Sequence, residues 1–143
     1  MATHSYETIA SSPTQSEPAA LLRRTLFANV AVSTLSGLAL IAGAAPLADL
    51  MDIASWAPLA ALGAGILAFA YGVYRVATET PISRFKATVI AELDALWVVA
   101  SIVVLATDAF NLSTEGRWLV LLAADIVGML AIAEFIGVRR LGK

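Results

Sequence analysis

The stretch ATVIAELDALWVVASIVVLAT, residues 87–107, decides how the chain is read. Its 21 residues hold no glycine or proline and only two charges, Glu92 and Asp94. As a helix it would rise about 30 Å, the thickness of a bilayer's hydrocarbon core. Three more stretches share its character. The first spans 22–45 and stops at Pro46, the second spans 56–76 and opens on Trp56 and Pro58, and the last spans 118–138 and ends at Arg139-Arg140. Of the 143 residues 59% are hydrophobic and 14% charged, whereas a soluble domain carries about a quarter charged. The expected fold is therefore all-α: a four-transmembrane-helix, up-and-down bundle over 21–143. Residues 1–20, rich in Ser, Thr and Glu, read as a polar, disordered cytoplasmic tail in which helix is allowed only beside the membrane.

Charge fixes the expected orientation. Arg23, Arg24, Arg75, Arg84, Lys86, Arg139, Arg140 and Lys143 fall at one end of the spans, and only Arg117 at the other. The positive-inside rule then places both termini in the cytoplasm. Asp49, Asp52, Asp108 and Glu115 mark the outer connections, with Trp56 and Trp118 at the outer interface and Tyr71, Tyr74 and Phe85 at the inner one. Arg23-Arg24 before an apolar run ending in Ala42-Gly43-Ala44 also fits a cleaved signal sequence over residues 1–44. The run is longer than a signal core and three more spans follow it, which favours an anchor. A faint parallel duplication relates Gly63 and Gly72-Val73-Tyr74-Arg75 to Gly128 and Gly137-Val138-Arg139-Arg140, 65 residues on.

Several chemistries are excluded. With no cysteine there is no disulfide, thiolate metal site or cysteine nucleophile, and the single histidine, His4, sits in the tail. A net charge of −2 argues against nucleic acid as a partner. No phosphate loop or catalytic triad is visible, so no enzyme activity, cofactor or metal is expected.

What remains is polar chemistry inside the spans, where a charge costs about 2.5–3.5 kcal/mol. Asp94 and Ser101 share one face of the third span, and Asn29 and Ser33 one face of the first. Packed together, these stripes would bond Asp94 to Asn29 or Ser33. Asp125 in the fourth span is placed opposite Ser101. These five residues form a candidate intramembrane polar or proton site. Arg75, Glu92 and Glu134 lie at similar depth nearer the inner interface and form a candidate structural ion-pair cluster. The small-residue stripe Ala61, Gly65, Ala68, Gly72 on the second span is expected to pack against a neighbouring helix.

The runs Asn29-x-x-x-Ser33-x-x-Ser36-Gly37, Asp94-x-x-Trp97-Val98-x-x-Ser101 and Gly137-Val138-Arg139-Arg140 resemble a family of small, functionally uncharacterised bacterial four-helix membrane proteins over about residues 22–141. The resemblance implies a bundle in the bacterial inner membrane and brings no activity, ligand or site. Two functions are expected from the residues. The first is a structural, accessory or assembly subunit that contacts lipid and other membrane proteins or itself. The alternative is a small oligomeric proton-coupled transporter or channel that uses Asp94 and Asp125.

Overall fold

A computed structural model describes residues 17–141, all of whose regular structure is helical. Residues 1–16 of the expected tail and the terminal Lys143 lie outside the described residues. The helices are α1 (Glu17–Ala42), α2 (Ala44–Met51), α3 (Ala57–Thr78), α4 (Arg84–Thr107) and α5 (Thr114–Leu141). Four of them, all but α2, are long and apolar enough to cross a membrane, as a multi-pass membrane protein requires. Their outer surfaces agree: Leu35 is 69% exposed, Phe85 77% and Trp118 67%. Apolar surface on that scale suits lipid, not water.

The first span differs from expectation at both ends. Helix α1 begins at Glu17, with Pro18 in its first turn where a missing N–H is harmless. It ends at Ala42, because Pro46 has no N–H to give the Ala42 carbonyl. The chain does not become a loop there. It turns at Gly43 and restarts as α2, with Pro46 again in a first turn. Ala44, Ala48 and Met51 face inward from α2 at i, i+4, i+7 spacing. Asp52, left-handed at φ 59°, closes this helix, and the Ile53 N–H reaches the Ala48 carbonyl at 2.9 Å. Ser113, just before α5, clasps α2. Its Oγ donates to the Leu50 carbonyl at 2.6 Å and accepts from the Gly116 N–H at 3.0 Å.

The four long helices form a ring in chain order, α1–α3–α4–α5, with α1 meeting both α3 and α5 and α4 meeting α5. The α3–α4 side is splayed, and at its connection Lys86 pairs with Glu79. An apolar cleft of about 270 Å³ opens there, floored by Val73, Val76 and Ile90. Helices α1 and α3 cross most tightly at Gly37 and Gly63, where a Cβ on Gly63 would stand 2.8 Å from the Gly37 carbonyl oxygen.

The core has three layers. Leu22, Leu26, Val73, Val76, Ala77, Ala87, Ile90 and Val138 fill the end that carries both termini. Ala44, Ala48, Met51 and Leu59 fill the opposite end. Between them lies a polar layer.

The small-residue stripe of α3 does not pack as expected. Ala61, Gly65, Ala68 and Gly72 are exposed, and added Cβ atoms on the two glycines would meet nothing within 4 Å. The face that packs is Leu59, Gly63, Ala70, Val73 and Ala77. The faint duplication is not echoed in packing either: Gly72 faces open space, whereas its counterpart Gly137 rests against Leu22.

Candidate functional site

The polar layer lies one turn inward from Leu26, Ile90 and Val138, which places Asn29, Asp94 and Glu134 at one level of the bundle. Asp94 is ten residues into α4, or about 15 Å from its start and close to mid-helix. All three side chains are buried: Asn29 is 1% exposed, Asp94 5% and Glu134 0%.

Asn29 is the hub. Its Nδ2 donates to Asp94 Oδ2 at 2.5 Å and to Glu134 Oε1 at 2.8 Å. Its carbonyl oxygen accepts from Ser33 Oγ at 2.9 Å. One amide thereby ties α1 to both α4 and α5, although the backbones of α1 and α4 face each other across the diagonal of the ring and do not touch. Both amide hydrogens and the amide oxygen are used, so the orientation of the group follows from its partners. Glu134 Oε2 is buried and accepts no hydrogen bond.

The other expected site residues lie elsewhere. Ser101 is buried, but its hydroxyl donates to its own helix at the Trp97 carbonyl, 2.9 Å away, and not to Asp125. Asp125 points out of the bundle. It lines a shallow depression of about 310 Å³ with Trp118, Leu121 and Leu122 on the outer face of α5. Asp94 and Asp125 therefore do not share a cavity.

The expected Arg75–Glu92–Glu134 cluster does not form. Glu134 turns inward to Asn29, while Arg75 and Glu92 are exposed on the outsides of α3 and α4. The physical reason is register. Val73, Val76 and Ala77 take the inward face of α3, which leaves Arg75 between them on the far side. Ion pairs among the described residues are Lys86–Glu79 and Arg117–Asp108, both at helix ends. Arg23 also serves a helix end, donating to the Glu79 carbonyl at 2.9 Å where α3 stops.

Sequence reasoning missed Glu134 as a member of the polar layer. A usable signal was present: Glu134 and Val138 are four residues apart, as are Ile90 and Asp94, so each acid sits one turn from a core residue. No protein-family model, curated protein or solved structure matches the chain.

Proposed function

We propose that this chain is a structural or accessory subunit of a larger assembly in the bacterial inner membrane, with both termini cytoplasmic and no reaction of its own. The observation that supports it is Asp125 on the outer face of α5, eleven residues from the helix start and so about 16 Å deep. A carboxyl facing lipid near the middle of a span costs about 2.5–3.5 kcal/mol unless a neighbour supplies a hydrogen bond or a charge. Among the described residues none covers Asp125, so another polypeptide is the source of such a neighbour that this reading requires. The smooth outward face of α3, with Gly65 and Gly72 free of contacts, is the kind of surface on which a second helix approaches closely. The carrier reading draws no comparable support, since Asp94 faces the core and Asp125 the outer face of α5.

Asp125→Leu separates these readings through two effects of opposite sign. In the chain by itself the substitution is expected to favour insertion of the α5 segment by about 3 kcal/mol, the difference between the two side chains facing lipid. In native membranes it should abolish co-purification with the partner. A photo-crosslinking residue at Leu122 is expected to capture a protein from native membranes in the wild-type background and only lipid in Asp125→Leu. Lipid adducts alone in both backgrounds would overturn the proposal.

Orientation has its own check. The chain has no cysteine, so single cysteines at Ser83 and Ser113 report without background. Impermeant thiol reagents applied outside intact cells should label Ser113→Cys and spare Ser83→Cys.

A further inference from the structure

We propose that Asp94 and Glu134 together form a proton-binding site that holds one dissociable hydrogen inside the bundle, shared between the two carboxyls and anchored by Asn29. The site is distinct from the partner surface at Asp125, and neither proposal depends on the other.

A count of donors carries the inference. Two carboxyls present four oxygens to the polar layer. Asn29 supplies two hydrogens, one to each carboxyl. The Ser33 hydroxyl hydrogen is spent on the Asn29 carbonyl, and that of Ser101 on the Trp97 carbonyl. The buried Glu134 Oε2 is left with no donor. Buried oxygens are rarely left so, and a hydrogen of its own serves this oxygen without any additional side chain. Asp94 Oδ2 and Glu134 Oε1 also accept from the same Asn29 nitrogen, at 2.5 and 2.8 Å, which sets the two carboxyls side by side.

Charge points the same way. The helices packed around the pair bring Asn29 and Ser33 from α1, Asp94 from α4 and Glu134 from α5, while every buried residue of α3 is uncharged: Leu59, Gly63, Ala70, Val73, Val76 and Ala77. Among the described residues no cation faces the pair. Arg75 lies on the outer face of α3, and Arg23 is engaged at the Glu79 carbonyl. With both carboxyls ionised, two negative charges would share one amide in a water-poor interior. One bound hydrogen removes one of those charges and fills the missing donor position. A metal ion fits less well, because Asn29 turns its N–H groups to the carboxyls and its oxygen to Ser33.

Infrared spectroscopy of the protein in lipid nanodiscs tests this. An Asp125→Asn/Glu92→Gln background removes the two exposed acids within the spans. At neutral pH that protein should show a carboxylic-acid C=O band, and adding Glu134→Gln or Asp94→Asn should abolish it, because the new amide supplies the hydrogen that the proton supplied. If neither variant folds, 13C labelling of aspartate or glutamate in the otherwise unaltered background decides, since the band must move with one label or the other. Absence of the band, or its survival in both variants, overturns the proposal. Stability gives a second readout. A hydrogen held in the folded state and lost on unfolding makes stability fall as pH rises. The melting temperature should therefore drop as pH rises in the wild type and stay level in Glu134→Gln. A wild-type profile as flat as that of the variant would contradict the site.

Discussion

Asn29→Leu is expected to destabilise the bundle by on the order of 3 kcal/mol, measured by unfolding in mixed micelles. Two interhelical hydrogen bonds in a membrane protein average about 0.6 kcal/mol each, which alone would give roughly 1 kcal/mol. The remainder comes from the acids left behind. Without Asn29, Asp94 and Glu134 each lose their donor on α1 while staying buried, and an unserved buried acid costs about 1–3 kcal/mol. Replacing all three residues, as Asn29→Leu/Asp94→Leu/Glu134→Met, should recover most of the loss, because an apolar layer needs no partners. Ser33→Ala, which removes only the bond to the Asn29 oxygen, should cost about 0.6 kcal/mol. A loss of under about 1 kcal/mol for Asn29→Leu would mean that the amide is not the hub of this layer.

Gly63→Leu is expected to cost about 3 kcal/mol, the upper end of the range for overpacking a core. The first added atom already meets the Gly37 carbonyl oxygen at 2.8 Å and Ile41 Cγ1 at 2.9 Å. The carbonyl belongs to the backbone of α1, so the crossing itself must widen, and the contacts of α1 with α3 suffer along its length. Gly65→Ala, two residues away, should be neutral or stabilising by up to about 1 kcal/mol through helix propensity, because nothing stands within 4 Å. Thermal melts of the two variants in nanodiscs check the pair. Equal effects would mean that α3 presents a different face to α1.

The four spans were legible because twenty apolar residues in a row have one common solution in lipid. The link from Asn29 to Asp94 was legible from the spacing of the polar stripes. Helix α2 was hidden, since an eight-residue apolar helix following a longer apolar run gives no periodic signal of its own; Pro46 showed where α1 ends but not that the chain coils again. The acids of α5 were misplaced although simple arithmetic separates them. Asp125 and Glu134 are nine residues apart, which at about 100° per residue puts them on opposite faces. Only one can enter the core, and Ala124, Ala131 and Val138 on the buried face select Glu134. Helix α3 misled through residue size. It carries two interleaved seven-residue patterns, and the one with the smaller side chains faces outward, because close approach is needed only where Gly63 meets Gly37.

The amide at the centre of the molecule comes from the first long helix, and the two acids it serves come from the last two. During synthesis α1 leaves the ribosome before either acid exists, so the Asn29 N–H groups must travel through the insertion machinery without the carboxyls that later accept them. A nascent chain halted after α4 would hold Asn29 and Asp94 without Glu134. The three-way link can close only when α5 arrives, which makes the insertion of that segment, and not of any earlier one, the event that locks the molecule together.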